Sequence, residues 1–241
     1  MGQFEQSHWA EPDFSRKFVE SADIAIIERK RSHAIMKSFF RHHFMRTDGR
    51  RDLLDLGCGD GILTYELKQT GHPITATLVD GSEEMLKKAE ERLKAYPDIR
   101  TVLASFQELI GGKVIAGDFD FIISSLAIHH LDMKEKRELF GWVYTRLRNN
   151  GCFMNIDVVL APNKVLEEWY MVLWQEWITE KKKEAGITGH IYGDTMKRYK
   201  DNRDNKPDGL DSQLDALKAI GFRDVDCYYK YGIFTIYGGR K

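Results

Sequence analysis

Glycines and acidic residues crowd a ten-residue stretch, D-L-L-D-L-G-C-G-D-G, that begins at Asp52. Gly57, Gly59 and Gly61 stand at alternate positions after a short apolar run, and Ile62 to Leu67 then has the pattern of a helix. Glycine accepts positive φ and has no Cβ, so backbone built from it can approach a ligand closely. A strand, a glycine turn and a helix N-terminus also present free backbone N–H groups. The stretch therefore predicts a binding site for a polar ligand.

An acidic residue ends the next strand-like run. Ile74 to Val79 is rich in β-branched residues, and Asp80 follows it. Roughly 20 positions after a glycine turn, a carboxylate in nucleotide-binding α/β folds accepts hydrogen bonds from the ribose hydroxyls. The alternative is that Asp80 caps the next helix, although Ser82 is well placed as the N-cap. A dinucleotide fingerprint would have Gly or Ala where this chain has Ile62, which disfavours a nicotinamide cofactor.

The string from Asp55 to Gly61 strongly resembles the first motif of class I S-adenosylmethionine-dependent methyltransferases, and Asp80 to Met85 is similar to their D-x-S-x-x-M pattern. The resemblance covers about residues 50–241 and extends to uncharacterised bacterial and archaeal members. It implies S-adenosylmethionine as cofactor, S-adenosylhomocysteine as product, and in-line transfer of a methyl group. The cofactor-binding residues that follow from it are Asp55, Gly57, Cys58, Gly59, Gly61, Asp80, Gly81, Met85, Ser105, Phe106 and Ser125.

Two of these positions are special. Ser105 stands where the family usually carries an acidic residue that accepts a hydrogen bond from the adenine amino group. A hydroxyl accepts more weakly than a carboxylate, so this contact is expected to be weaker here. Phe106 either flanks the adenine ring or packs in the core, and the sequence leaves both open.

A general base is needed only if the acceptor is protonated at neutral pH. The candidates are His129, His130, Asp157 and His190, which the sequence does not rank. Neighbouring residues point to different sides, so one site cannot easily use both adjacent histidines, and structural hydrogen bonds are the favoured role. The three cysteines are scattered and lack C-x-x-C spacing. We therefore expect neither a metal site nor a disulfide framework.

Apolar runs alternate with amphipathic helical patterns as far as residue 159. Five such strands predict an α/β fold with a doubly wound, mainly parallel, Rossmann-like sheet. Two closing strands, at 224–231 and 233–237, are separated by Gly232. They must pair antiparallel, because a parallel return needs a long crossover. The sequence thus predicts seven strands that end in an antiparallel hairpin, with a cleft at the carboxyl ends of the parallel strands.

Two segments interrupt this alternation within the single predicted domain, 1–241. Residues 1–48 read as an N-terminal helical cover, and 161–208 as a helical insert after the fifth strand. We expect both to enclose the acceptor. The predicted substrate-lining residues are Phe14, Phe18, Trp169, Tyr170 and Trp177. The alternative is that these aromatic residues simply pack the two segments on each other.

The charge balance limits the choice of partners. The 241 residues carry 36 Lys and Arg against 37 Asp and Glu, a net charge of −1, which disfavours nucleic acid and anionic membranes. Without a signal-like N-terminus or a bilayer-length apolar run, a cytoplasmic location is expected.

The prediction is a methyltransferase for a small-molecule acceptor. A non-catalytic S-adenosylmethionine-binding protein, an RNA or protein methyltransferase and, least favoured, an NAD-dependent oxidoreductase remain alternatives. The acceptor and the oligomeric state stay open, a homodimer included.

Overall fold

A computed structural model describes residues 21–46, 49–112, 114–187, 199 and 202–241. Three residues that the sequence singles out, Phe14, Phe18 and His190, lie outside the described residues. Residues 21–25 are helical, and a break follows them at Glu28, whose φ is 52°. Because left-handed backbone cannot continue an α-helix, the chain changes direction there before the next helix begins.

Strands and helices alternate from this point to the fifth strand, and two helices and then two strands follow it. In chain order they are α1 (Arg29–Phe44), β1 (Arg51–Leu56), α2 (Ile62–Lys68), β2 (Ile74–Asp80), α3 (Glu83–Leu93), β3 (Ile99–Leu103), α4 (Phe106–Gly111), β4 (Phe119–Ser125), a 3₁₀ turn (Ile128–His130), α5 (Met133–Arg146), β5 (Leu147–Val158), α6 (Lys164–Glu184), α7 (Leu210–Ile220), β6 (Arg223–Tyr231) and β7 (Phe234–Arg240).

The seven strands form one sheet in the order β3-β2-β1-β4-β5-β7-β6. Strands β1 to β5 are parallel, whereas β7 pairs antiparallel with both β5 and β6. This confirms the predicted parallel sheet with its antiparallel C-terminal hairpin. The strand order reverses between β1 and β4, and ligands of open α/β sheets bind at the carboxyl ends of the strands beside such a reversal.

Helices cover both faces of the sheet. On one face the buried cluster includes Phe40 of α1 and Leu53 of β1, and on the other it includes Leu54 of β1 and Phe140 of α5. Successive strand residues point to opposite faces, so one short strand supplies both cores. The parallel strands are therefore buried on two sides, and their carboxyl ends are left to form a site.

The N-terminal cover rests on α6. The indole N–H of Trp174 donates to the carbonyl of Ala25 at 2.7 Å, and that of Trp177 donates to the carbonyl of Ile24 at 3.1 Å. These carbonyls belong to the end of the first helical segment, where helix carbonyls have no intrahelical partner. The two segments outside the regular alternation thus pack on each other. Among the described helices, none is long and apolar enough to cross a membrane.

Candidate cofactor and acceptor site

A cavity of about 390 Å³ opens where β1, β2 and β4 end. This size lies within the roughly 300–1,000 Å³ typical of small-molecule sites. Every predicted cofactor residue except Gly61 lines the cavity. The topology therefore brings these residues together, while their contact with a cofactor stays a prediction.

The glycine turn has the left-handed backbone that its composition predicts, with φ of 62° at Gly57, 54° at Gly59 and 73° at Gly61. A Cβ on Gly57 would stand 2.4 Å from the Cβ of Ala127, so no side chain fits there. Gly61 serves packing, since its Cβ would come within 3.0 Å of the Cβ of Ala89 on α3. The absence of a side chain at Gly61 therefore lets α2 start close against α3.

Three N–H groups of the glycine turn donate within the protein and are not free for a ligand. The N–H of Cys58 donates to the carbonyl of Val79 at 2.9 Å, and the N–H of Gly61 donates to the carbonyl of Cys58 at 3.0 Å. The N–H of Gly59 donates to Asp80 Oδ2 at 2.8 Å. These hydrogen bonds hold the turn. The glycines therefore contribute the shape of the turn and close approach of a ligand to the backbone, more than N–H donors for that ligand.

Asp80 joins the end of β2 to this turn. Besides the bond from Gly59, its Oδ1 accepts the backbone N–H of Ser82 at 2.8 Å. Ser82 itself caps α3 by accepting the N–H of Met85 at 3.3 Å, so the cap of α3 is Ser82. Burial raises the pKa of Asp80, and the backbone hydrogen bonds oppose that rise. The carboxylate has about four acceptor positions, and backbone N–H groups of Gly59, Ser82 and Gly81 act on it, so about one position remains for a ligand hydroxyl.

Asp55 contains a buried acceptor atom that needs a donor. Its Oδ2 accepts the hydroxyl of Thr64 at 2.7 Å. Its Oδ1 is buried and has no hydrogen-bond partner among the residues that the structure describes. Burial raises the pKa of Asp55 to about 7, against the opposing hydrogen bond from Thr64. Buried polar atoms are nearly always paired, and Asp55 lines the cavity, so its unpaired oxygen indicates a ligand donor.

Ser105 is engaged as the N-cap of α4. Its hydroxyl donates to Glu108 Oε2 at 2.8 Å and accepts the N–H of Glu108 at 3.3 Å, which completes a capping box. One acceptor position is left on the hydroxyl oxygen, in keeping with a weak contact at most. The neighbouring Phe106 lies across the glycine turn, with Cζ 3.4 Å from where a Cβ on Gly57 would be.

The predicted general bases separate into two groups. His129 and Asp157 form a buried pair away from the cavity wall, with Nδ1 and Oδ1 2.6 Å apart. Asp157 also accepts the backbone N–H groups of His129 and Val158. Burial raises the pKa of Asp157, but the nearby His129 and the hydrogen bonds outweigh burial and hold the pKa below its ordinary value. This carboxylate holds the 3₁₀ turn, and neither residue of the pair lines the cavity. The role of His129 and Asp157 as candidate bases stays a prediction that their position does not favour.

His130 does line the cavity. Its Nδ1 lies 3.1 Å from the carbonyl oxygen of Asp204, and its ring centroid lies 4.0 Å from that of His129. Burial, followed by the nearby His129, lowers the pKa of His130 to about 3. The ring is therefore neutral at pH 7 and suited to hydrogen bonding.

The structure does not bring the predicted aromatic residues of α6 to the cavity. Trp169 is about half exposed to solvent, Tyr170 packs against Gly232, and Trp177 binds the carbonyl of Ile24. None of these three aromatic residues lines the cavity. Tyr170 and Trp177 instead pack against a core cluster that includes residues of the C-terminal hairpin and the N-terminal cover. These contacts favour packing for Tyr170 and Trp177, and the substrate-lining role stays a prediction.

Several cavity residues escaped the sequence analysis. Arg29 and His33 come from α1, where the run of basic residues indicates a solvated face. Leu126 follows β4 with φ of 51°, a left-handed conformation that is unusual for a branched side chain and costs about 1–3 kcal/mol. Asp204 and Lys206 come from the polar segment before α7. Only the spacing of four between Arg29 and His33, which places both on one helix face, could have indicated their shared position.

The fold and the cavity define a Rossmann-like α/β protein with a ligand site at the reversal of its sheet. Residues 53–151 match the family model described as "Methyltransferase domain". This match bears out the resemblance of this part of the chain to class I S-adenosylmethionine-dependent methyltransferases, as the glycine turn predicts, and supports S-adenosylmethionine as the cofactor.

Similar proteins share this fold at low identity. The chain is 26% identical over 128 residues to malonyl-[acyl-carrier protein] O-methyltransferase of Halalkalibacterium halodurans, covering 53% of this chain and 46% of that protein. It is 24% identical over 190 residues to carboxy-S-adenosyl-L-methionine synthase of Helicobacter pylori, covering 78% and 75%. An O-methyltransferase family protein from Burkholderia thailandensis superposes with a TM-score of 0.65 at 13% identity, covering 98% of this chain and 62% of that one. The chain thus spans less than two thirds of the first and third of these proteins.

Proposed function

We propose that this methyltransferase acts on a small-molecule acceptor. The observation that carries the proposal is the continuity of the cavity. It runs from the predicted nucleoside residues Asp80 and Phe106, past the glycine turn, to Ala22 and Ile26 of the N-terminal cover. A cofactor at the turn would therefore present its methyl group inside a walled space, and a small acceptor fits such a space better than a folded macromolecule.

The residues present suit S-adenosylmethionine. Asp80 has an acceptor position for a ribose hydroxyl, and Met85 and Phe106 supply apolar surface for the adenine. The unpaired Oδ1 of Asp55 suits the ammonium group at the amino-acid end. The sulfonium makes the methyl carbon electrophilic when the cofactor is bound. What the chain must add is alignment of the acceptor and exclusion of water, and alignment alone can supply about 7–11 kcal/mol at its upper end.

The acceptor end of the proposed site is mainly apolar with few polar groups. Ala22, Ile26, Leu126 and Leu131 contribute apolar wall, and His130 contributes a neutral imidazole. A base with so low a pKa takes up a proton poorly at pH 7, so His130 is proposed to orient the acceptor by a hydrogen bond. This arrangement favours an acceptor that is already a nucleophile at neutral pH.

A second candidate function is modification of the cofactor itself. The carboxy-S-adenosyl-L-methionine synthase match covers about three quarters of both chains, more of each than the match to the acyl-carrier-protein methyltransferase. The name of that relative indicates a carboxylated cofactor as product. Both functions would use the same cavity, but they leave different products from S-adenosylmethionine.

One incubation separates the candidates. The full chain is mixed with methyl-labelled S-adenosylmethionine and a cell extract that has been divided into a small-molecule fraction and a macromolecular fraction. We expect S-adenosylhomocysteine and label in the small-molecule fraction only. Label in protein or RNA would contradict the small-molecule acceptor. A carboxylated cofactor in the mass spectrum, with no S-adenosylhomocysteine, would establish the second function instead.

A further inference from the structure

Helix α6 has a second apolar face, on the side opposite its buried one. Trp174 and Ile178 are buried, and they pack in a core cluster with the N-terminal cover and the C-terminal hairpin. Val165, Trp169 and Val172 follow one another at spacings of four and three, so they share the other face of the helix. They are 76%, 53% and 52% exposed. These three side chains are the outer face of α6.

The outer face is apolar surface that the described part of the chain does not use. Single exposed apolar residues are common on proteins, but a contiguous group of them marks an interaction site. None of its three residues lines the cavity or belongs to a core cluster of the described residues. Tryptophan, which lies at its centre, is enriched where interfaces contribute most to affinity. The outer face therefore suits contact with another protein surface.

Two exposed charges flank the outer face on one side. Lys164 and Glu168 are four residues apart on α6, and neither forms an ion pair with any residue that the structure describes. A lysine four residues before a glutamate is the less favourable order within one helix, because the reverse order suits the helix dipole better. Both charges are therefore available to a partner.

We propose that the outer face of α6 pairs antiparallel with the same face of a second copy of this chain. A twofold contact needs a surface that is complementary to itself, because each pair of residues meets twice. When two α6 helices pair about residue 167, Val165 of each copy lies opposite Trp169 of the other. Lys164 then lies about two residues, or ~3 Å along the helix, from Glu168 of the other copy. Only the antiparallel orientation brings the same flank of both helices together, so the charges favour it.

The expected dimer is reversible. Three apolar side chains and two exposed charge pairs make a smaller contact than the roughly 800 Å² per partner of a standard interface. On its inner face α6 binds the N-terminal cover through the indoles of Trp174 and Trp177. Pairing through the outer face therefore supports the helix on which that cover rests, while it leaves the cavity residues uncovered.

Sedimentation equilibrium of the full chain over a range of concentrations tests the pairing, and the wild type should be a reversible dimer. Val165→Glu should raise the dissociation constant about tenfold to a hundredfold, because it buries an unpaired carboxylate against Trp169 of the other copy. Position 165 is 76% exposed in a single copy, so the variant should keep its fold. Leu103→Glu is the matched control, since Leu103 is 57% exposed at the end of β3. It should leave the dissociation constant unchanged.

A charge exchange tests the antiparallel orientation. Lys164→Glu and Glu168→Lys each turn two attractive contacts of the dimer into repulsive ones. Each should raise the dissociation constant about threefold to thirtyfold. The double variant has opposite charges across the contact again, so its dissociation constant should return close to that of the wild type.

A wild type that stays monomeric up to its solubility limit would overturn the proposal. A lower free energy of unfolding in Val165→Glu would then assign the outer face to packing within one copy. A dimer that Val165→Glu leaves unchanged would overturn the choice of surface, and weakened single charge variants without recovery in the double variant would overturn the antiparallel orientation. None of these outcomes bears on the proposed function, because the outer face lies outside the cavity.

Discussion

Asp80 Oδ2 accepts the backbone N–H of Gly59 at 2.8 Å, which ties the carboxyl end of β2 to the glycine turn after β1. The carboxylate of Asp80 therefore supports the turn that shapes the cavity, and the same carboxylate is proposed to bind the ribose. A substitution at this position tests whether the carboxylate acts on the ligand, on the turn, or on both.

Replacing Asp80 by Ala should weaken S-adenosylhomocysteine binding by roughly tenfold to a few hundredfold. The reason is the loss of charge-assisted hydrogen bonds, worth about 1.5–3 kcal/mol each. Calorimetry measures the affinity, and Glu83→Ala is the control, since Glu83 is exposed at the start of α3 and does not line the cavity. Wild-type affinity with a lower free energy of unfolding would show that Asp80 only holds the turn.

Replacing Gly57 by Ala should be more harmful than replacing Gly59 by Ala. Both changes strain left-handed backbone by about 1–2 kcal/mol. Only the new Cβ at position 57 meets the Cβ of Ala127, at 2.4 Å, whereas position 59 has open space. Denaturant unfolding should show a further loss of about 1–3 kcal/mol for Gly57→Ala. Adding Ala127→Gly should recover much of that difference, and no recovery would mean that the clash is not its cause.

The raised pKa of Asp55 predicts how the free energy of unfolding depends on pH. Its pKa is raised to about 7 in the folded chain, above the ordinary 3.8. Between these values the folded state binds the proton and the unfolded state does not, so this residue makes stability fall as pH rises from about 4 to 7. Asp55→Asn should remove that fall in denaturant unfolding measured at pH 5 and pH 8. An identical slope in the variant would contradict the raised pKa.

The same residue links cofactor binding to proton release. Ionised Asp55 is the form that suits an ammonium group, so S-adenosylhomocysteine should bind more tightly as pH rises through 7. Calorimetry in two buffers of different ionisation enthalpy measures the released proton. The Asp55→Asn variant should bind more weakly and release fewer protons. Equal proton release from both proteins would show that another group is responsible.

The tryptophans of α6 should affect stability according to their contacts. Trp174→Phe keeps an aromatic ring but leaves the carbonyl of Ala25 without its donor, which should cost about 1–3 kcal/mol in the free energy of unfolding. Trp169→Ala, at a half-exposed position outside the cavity, should change stability less and leave acceptor preference unaltered. A changed acceptor preference in Trp169→Ala would restore the predicted substrate-lining role.

Local patterns in the sequence determined the strands, the glycine turn and the acidic end of β2. Strand periodicity and glycine conformation depend on neighbouring residues, and the handedness of βαβ units then brings parallel strand ends to one edge. The sequence was therefore sufficient to predict the sheet and to collect ten residues at one cavity, Gly61 being the exception because its role is contact with α3.

Tertiary structure alone decided which faces of the cover helices meet the cavity. The pairing of His129 with Asp157, 28 residues apart, and the bond from Trp177 to the carbonyl of Ile24 depend on how distant elements pack. Arg29 likewise reaches the cavity because the break at Glu28 sets the direction of α1. The spacing of residues in a helix shows which of them share a face. The direction of that face depends on which apolar surfaces of other elements the helix packs against.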